Sequence, residues 1–204
     1  MVKDGILFVI IPLLIAFAAF ALGAWYVAIP FLLLAAFMAY FFRDPHRVMP
    51  VEAGVVVSPA DGRVTRVARL DPNSDSSPTV VSIFLSPFDV HINRAPIAGV
   101  VMDVTYKKGK YLMATREEVS LVNEQNALTI QGEALTVVCK QIAGVLARRI
   151  VCWKRVGDRV ELGERFGLIK FSSRTDLILP PEVSVSVSVG ERVRGGASVI
   201  GRVG

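Results

Sequence analysis

The stretch VGDRVELGERFG, residues 156–167, returns 33 residues later as VGERVRGGASVI, residues 189–200. Both copies share the pattern V-G-[DE]-R-V-x-x-G, whose glycines stand where tight turns between strands require a positive φ. A third stretch, VVSPADGRV at 56–64, has the same strand-turn-strand character. Two similar units that face each other predict a sandwich or barrel built from two related halves.

The residues around these copies, from about position 50 onward, are short Val- and Ile-rich runs separated by glycines, prolines and polar turns. Many runs alternate with a period of two, most clearly VSVSVSV, which is typical of half-buried strands. The predicted strands are 54–57, 63–70, 79–85, 97–106, 127–131, 134–140, 149–153, 167–171, 183–189 and 197–203. Helix is predicted only near 110–118 and 141–147. The fold class is therefore mainly β, in the style of the barrel-sandwich hybrid of lipoyl and biotinyl carriers, an architecture with several functions.

The N-terminal region differs sharply from the rest, because no charged residue occurs from position 5 to position 42. One helical span needs roughly 20 apolar residues, so this stretch is long enough to cross a bilayer twice. Its middle, GAWYVAIP at 23–30, carries a glycine, a proline and two interfacial aromatic residues, which suit a hairpin turn. We predict a membrane hairpin over residues 1–42 and a separate, mainly β domain over 43–204.

Basic residues flank the hairpin on both sides: Lys3 precedes it, and Arg43 and Arg47 follow it. The positive-inside rule then predicts a protein of the cell membrane whose β domain, 43–204, lies on the cytoplasmic face. A transmembrane hairpin and a monotopic one give the same sidedness, and both stay open. The net charge of +5 favours an anionic lipid surface. No stripe of basic and aromatic residues indicates a nucleic-acid partner.

Few residues in the chain can carry chemistry. The only histidines are His46 and His91, and the only cysteines are Cys139 and Cys152. Their spacing fits no metal site, so no metal is expected, and the cysteines are interpreted as small buried hydrophobic residues. A lipoyl or biotinyl carrier needs a lysine at a hairpin tip, and neither glycine-flanked copy presents one convincingly.

Three features remain as candidates for catalysis. Asp61 lies in SPADG, His91 lies in SPFDVHINRAP, and Ser172 and Ser173 follow a predicted strand. Each has a structural explanation: Asp-Gly is a common turn pair, a lone histidine is more often structural, and serines at strand ends often bond the backbone. Together they form an Asp, His and Ser set, which only geometry can test as a triad.

A longer series of motifs runs in order along nearly the whole chain. They are FFRDPHR, VVSPADGRV, SIFLSPFDVHINRAP, YKKGKYLMA, NEQN, QIAGVLARRIV, GERFGLIKFSSRTDLILP and VGERVRGGASVIG. In these motifs the chain resembles the phosphatidylserine decarboxylase proenzymes of the short, membrane-anchored type. The resemblance implies autocatalytic serinolysis between Ser172 and Ser173, which yields a β chain, 1–172, and an α chain, 173–204. It also implies a pyruvoyl group derived from Ser173, with neither a metal nor pyridoxal phosphate.

The resemblance further implies that this group forms a Schiff base with phosphatidylserine in an anionic membrane, and that phosphatidylethanolamine is released. His91 would be the general base for Ser173, and Asp61 would orient it and stabilise the imidazolium. Arg94 stands where the long forms of the family have a second histidine, and its charge could meet the substrate carboxylate or phosphate. The implied partners are the two cleaved chains and further copies of the protein in a homo-oligomer.

Ser172 departs from the family, which usually has glycine before the cleaved serine. Its side chain crowds the attacked carbonyl and restricts the backbone, so it would slow cleavage or shift the attack to Ser172 itself. The spacing of Arg174 and Asp176 favours Ser173. Two other interpretations stay open: a membrane-anchored adaptor or pseudoenzyme that does not process itself, and a serine hydrolase that lacks the Gly-x-Ser-x-Gly elbow.

Overall fold

The computed structural model describes residues 1–113, 119–145, 149–170 and 173–204. The chain forms two compact units, Met1–His46 and Arg47–Gly204. The first consists of apolar helices and the second is mainly β, as the sequence predicts.

The first unit is a helical hairpin. A 3-10 turn, Lys3–Gly5, leads into α1, Ile6–Ala21, which packs against α2, Trp25–Phe41. The predicted turn is confirmed at Gly23, whose φ is 77°, but it is shorter than expected. Trp25 and Pro30 belong to α2, because a proline costs an apolar helix one backbone hydrogen bond without ending it. The stretch Lys3–Ala21 is long and apolar enough to cross a membrane, whereas α2 is shorter.

The second unit contains fourteen strands and one short helix among the described residues. The strands are β1 Val55–Val57, β2 Gly62–Arg69, β3 Thr79–Leu85, β4 Ile92–Arg94, β5 Gly99–Lys107, β6 Gln125–Gln131, β7 Thr136–Ala143, β8 Arg149–Cys152, β9 Arg159–Val160, β10 Arg165–Lys170, β11 Ser173–Leu179, β12 Val183–Val185, β13 Arg192–Val193 and β14 Val199–Val203; the helix is α3, Val119–Val122.

Three sheets arrange these strands. The largest is a curled sheet of eight strands in the order β13-β2-β3-β11-β7-β6-β5-β9. Two three-stranded sheets accompany it, β1-β14-β12 and β4-β10-β8. The apolar core is drawn from both the large sheet and the first small one, with members such as Ile83, Leu128, Leu177 and Ile200.

The repeated sequences occupy equivalent places at the two edges of the large sheet. The first glycines of the copies, Gly157 and Gly190, have φ values of 92° and 95°. Their amides donate to Val101 and Val64 respectively, at 2.8 Å in each case. Each turn is followed by a two-residue strand, β9 against β5 and β13 against β2. The predicted pairing of two related halves is thus present, with turn glycines that need a positive φ.

Two of the secondary-structure predictions are wrong. Residues 141–143, expected in a helix, belong to β7, and the side-chain amide of Gln141 bonds to Asn126 in β6 and to Asn93 in β4. The end of that predicted helix, 146–147, lies outside the described residues. The serine pair was not expected to begin a strand, yet β11 starts at Ser173. The sequence hides β11 because it carries Arg174 and Asp176, which are buried as a mutual ion pair with an Nε–Oδ1 distance of 2.6 Å.

The other differences concern lengths. Pairing in VSVSVSV covers only Val183–Val185. The helix predicted near 110–118 is absent from 110–113, where the chain is irregular, and its remainder, 114–118, lies outside the described residues. The short α3, Val119–Val122, follows directly after.

Candidate active site

Ser173 begins β11, the strand between β3 and β7 in the large sheet. It stands opposite Leu85 on one side and Ala143 on the other. The residue is fully buried, and its Oγ has no hydrogen-bond partner among the described residues. Ser172, the residue before the expected cut, lies outside those residues. A buried hydroxyl without a partner is costly, and in native structures it calls for a functional explanation.

His91 lies just before β4 and is also buried. Its Nδ1 is 2.9 Å from the carbonyl oxygen of Asp89. The Asp89 carboxylate in turn accepts hydrogen bonds from the backbone amide and the hydroxyl of Ser86, at 2.8 and 2.7 Å. A carbonyl oxygen can only accept, so the ring proton belongs on Nδ1. The basic nitrogen is therefore Nε2, which is buried as well.

Asn93 connects the strand that follows His91 to the strand that begins at Ser173. Its Nδ2 donates to Thr175 Oγ1 at 3.0 Å, while its backbone pairs with Gly167 of β10. Two further bonds extend this contact into a buried amide network. Gln141 Nε2 donates to Asn93 Oδ1 at 2.9 Å, and Asn126 Nδ2 donates to Gln141 Oε1 at 3.1 Å. The network fixes β4, β6, β7 and β11 relative to one another.

Asp61 forms its turn before β2 as predicted, but its carboxylate is also engaged. Oδ2 meets the guanidinium of Arg47 at 2.6 Å, and Oδ1 accepts the backbone N–H of Gly195 at 2.8 Å. Burial raises the pKa of Asp61 above its ordinary value, against the lowering effects of Gly195 and Arg47. These contacts hold the side chain in place, and its role as the orienter of His91 stays a prediction.

Arg94 is buried and contacts the second glycine of the shared pattern in each repeated sequence, Gly163 and Gly196. Its guanidinium donates to the carbonyl oxygen of Gly163 at 3.0 Å, and its Cδ lies against Gly196. These contacts give Arg94 a structural part in holding the halves together. A contact between Arg94 and substrate stays a prediction.

Comparison with known proteins gives the family of the chain. The sequence profile of the family described as phosphatidylserine decarboxylase matches residues 34–201. The chain belongs to the phosphatidylserine decarboxylase family.

Several curated members of the phosphatidylserine decarboxylase family align with most of the chain. A phosphatidylserine decarboxylase proenzyme of Solibacter usitatus is 52% identical over 189 residues, which is 91% of this chain and 90% of that protein. Proenzymes of the same name from Nitratidesulfovibrio vulgaris and Chlorobaculum parvum are 46% and 44% identical, over 92% and 83% of this chain and 88% and 80% of theirs.

Other residues of this phosphatidylserine decarboxylase family member were missed by sequence reasoning. Asn93 and Thr175 each stand two positions after a predicted catalytic residue, so period-two alternation could have placed each pair on one face. Nothing in the sequence pairs Asn93 with Gln141 or Arg47 with Asp61, because these contacts join distant segments.

The structure also reports on the candidate metal ligands. In the ranges that it covers, no group of three His, Cys, Asp or Glu side chains could hold a metal ion. Cys139 and Cys152 are free, and Cys139 is buried as predicted, whereas Cys152 is half-buried. Burial raises the pKa of both thiols, so both are protonated at neutral pH.

Proposed function

We propose that the chain is a proenzyme that cuts itself before Ser173 and then decarboxylates phosphatidylserine to phosphatidylethanolamine. The observation that carries this proposal is the buried Oγ of Ser173, which lacks a hydrogen-bond partner in the described part of the chain and heads a central strand. The names of the family members supply the substrate, and the buried His91 supplies a base.

The contacts of Asn93 support an encounter between His91 and Ser173. Asn93 touches β10 through Gly167 and β11 through Thr175, and only two residues separate these strands. His91 stands two residues before Asn93, and its carbonyl oxygen accepts a hydrogen bond from the backbone amide of Ile169 in β10, at 3.2 Å. Ser173 likewise stands two residues before Thr175. His91 is thus bonded near the end of β10, and Ser173 begins β11, so we infer that the Nε2 of His91 reaches the Oγ of Ser173.

This arrangement supports self-cleavage by an acyl shift. Nε2 of His91 takes the hydroxyl proton while Oγ of Ser173 attacks the carbonyl carbon of Ser172. The C–N bond between the two residues breaks, the nitrogen takes up a proton, and an ester replaces the amide. Loss of the Cα proton of Ser173 then expels the Ser172 carboxylate and ends the β chain at Ser172. The dehydroalanine left at position 173 gains water and loses ammonia, which leaves a pyruvoyl group.

The residues around position 173 fit such a group. The Ser173 hydroxyl is buried and has no partner among the described residues, so its loss would leave none of their donors or acceptors unpaired. When present, the ketone supplies the electron sink for loss of CO2 that ordinary side chains lack. The amide network would hold β11 in place, the buried surroundings would exclude water, and the Nε2 of His91 would accept a proton.

The apolar hairpin supports a location at the cell membrane, where the lipid substrate resides. We propose that the second unit works at the cytoplasmic face, as the flanking basic residues predict. A domain with an excess of basic residues would meet an anionic surface favourably. Association into a homo-oligomer stays a prediction.

The intact mass of purified full-length protein tests this function. Two chains split before Ser173, with a pyruvoyl mass on the smaller chain, are expected, together with conversion of phosphatidylserine in vesicles. The Ser173→Ala variant serves as the uncut control. A split before Ser172 would move the pyruvoyl group to that residue. A single uncut chain of 204 residues would contradict self-processing; Ser172→Gly would then separate a blocked proenzyme, which it restores, from a pseudoenzyme.

A further inference from the structure

Arg47 is a residue to which the proposed chemistry gives no role. It is the first residue of the second unit and the last of the motif FFRDPHR. Its guanidinium lies 2.6 Å from Asp61, and the two side chains are only 11% and 15% exposed. Its Nε is buried and has no hydrogen-bond partner among the described residues. The positive charge of Arg47 is therefore held next to the Asp61 carboxylate and away from water, whereas an ion pair such as Arg69 with Asp75 is exposed.

The surroundings of Asp61 explain why it needs that charge. Burial raises the pKa of its carboxyl, and the nearby Asp89 carboxylate raises it further. The backbone N–H of Gly195 and the guanidinium of Arg47 act in the opposite direction. Arg192 faces Asp89 rather than Asp61, at 3.6 Å. Without Arg47, a buried carboxylate beside a second carboxylate would take up a proton more readily.

We propose that Arg47 is a positioning residue for self-cleavage, which holds Asp61 as an anion in a fixed orientation. This inference rests on the proposed function, since it takes Asp61 as part of the cleavage machinery. An anionic Asp61 can stabilise the imidazolium that forms when His91 accepts the Ser173 proton. A protonated Asp61 cannot, so the charge on Arg47 would control how far cleavage survives at acid pH.

The pH dependence of the variant follows from that argument. Cleavage that requires ionised Asp61 is lost as the pH falls through its pKa. Replacing Arg47 by glutamine raises that pKa, so the loss begins at a higher pH. The ratio of the Arg47→Gln rate to the wild-type rate is then near one at pH 9 and falls at acid pH, by about tenfold for each unit by which the pKa rises.

The experiment follows the full-length precursor, made by translation in vitro in the presence of liposomes and transferred to buffers between pH 5 and 9. Appearance of the α chain gives the cleavage rate. Arg47→Lys keeps the charge and should restore most of the rate at acid pH, whereas Arg47→Gln should not. The matched control is Arg69→Gln, which breaks an exposed ion pair with Asp75 and should leave the ratio at one throughout.

A constant ratio across the pH range would overturn the inference, because a purely structural contact has no reason to depend on the ionisation of Asp61. The inference would also be overturned if Arg47→Lys cleaved as slowly as Arg47→Gln at every pH, because lysine keeps the positive charge. If Arg47→Gln fails to fold, Arg47→Met replaces it as the variant that removes the charge, and its ratio to the wild-type rate must show the same fall at acid pH. Failure of the wild-type chain to cleave at any pH would instead refute the proposed function.

Discussion

A serine hydroxyl at the surface is satisfied by water, but the Oγ of Ser173 is buried without a partner among the described residues. Leaving a buried polar group unpaired costs about 1–3 kcal/mol. The cost makes sense if the hydroxyl is consumed during maturation, because the finished protein then no longer carries it. His91 has the complementary feature, a ring whose Nδ1 is occupied by a carbonyl and whose Nε2 is left as the base.

Replacement of His91 by alanine should slow self-cleavage by about 10²- to 10⁴-fold, the usual contribution of a general base. Asp61→Ala should also block it, because the imidazolium loses its stabilising charge. Intact mass after a fixed incubation measures the uncut fraction. His46→Ala, in the first unit, is the control and should cleave normally. Normal cleavage in both test variants would remove His91 and Asp61 from the mechanism.

Ser172 stands where the resemblance to the family implies a glycine before the proposed cut. Glycine there would uncrowd the carbonyl and widen the accessible backbone conformations. We expect Ser172→Gly to cleave about fivefold faster, equivalent to roughly 1 kcal/mol in the barrier. The time course of α-chain appearance measures this, with the Ser172→Ala variant as a control for the lost hydroxyl. Slower cleavage with glycine would show that Ser172 assists the reaction.

At this scale the sequence selects candidate reactive residues, whose roles stay predictions, but not the residues that hold them. Asp61, His91 and Ser173 stand in recognisable motifs, so a single sequence was enough to select them. Arg47 and Asn93 work through partners far along the chain, at Asp61 and Thr175. Such pairings depend on how strands cross, which local alternation does not encode.

At the scale of elements, β11 shows where local patterns mislead. Its residues Arg174 and Asp176 argue against a central strand, yet each satisfies the other at 3% exposure. Strands with conventional patterns were predicted closely, and β3 was predicted with its exact bounds, Thr79–Leu85. The turns at Gly157 and Gly190 were also predicted, because a turn that needs a positive φ depends only on the residue at that position.

The buried amide network should contribute measurably to stability. Asn93→Ala leaves the Thr175 hydroxyl and one amide proton of Gln141 without their partner, so unfolding should become easier by about 1–3 kcal/mol. The measurement is denaturant unfolding in a Ser173→Ala background, which keeps every variant a single chain. Asn73→Ala, in an exposed loop, should change stability by less than about 0.5 kcal/mol. An equal loss in both variants would argue against the network.

At the scale of the whole molecule, the proposed cut divides one sheet between two chains. The α chain would contribute β11, which is paired along its length with β3 and β7 of the β chain. It would also contribute β13 and β14, paired with β2 and β1. Core residues such as Leu177, Leu179 and Ile200 come from the same segment.

The two chains should therefore stay together after cleavage. We expect them to co-elute in mild detergent and to separate only in denaturant, since separation would open the centre of the sheet and expose the core. Size-exclusion chromatography followed by denaturing electrophoresis measures this. Release of the α chain under native conditions would contradict the strand order of the large sheet.

The last prediction concerns the two units and the substrate's location. The residues that carry the proposed chemistry lie within Arg47–Gly204, and the hairpin contributes apolar surface. Removal of residues 1–42 should leave self-cleavage intact, because Arg47 and all later residues remain. Turnover of phosphatidylserine in vesicles should fall by about 10²-fold, since anchoring replaces a bimolecular encounter with a local one.

The control for that truncation is a short-chain, soluble phosphatidylserine, on which truncated and full-length proteins should turn over equally. A loss on both substrates would mean that the hairpin supports the catalytic unit itself. Equal activity on vesicles would mean that the second unit binds the membrane unaided, through its own basic surface. Raising the ionic strength would then lower vesicle turnover for both proteins, because a charged interaction is screened by salt whereas an inserted apolar hairpin is not.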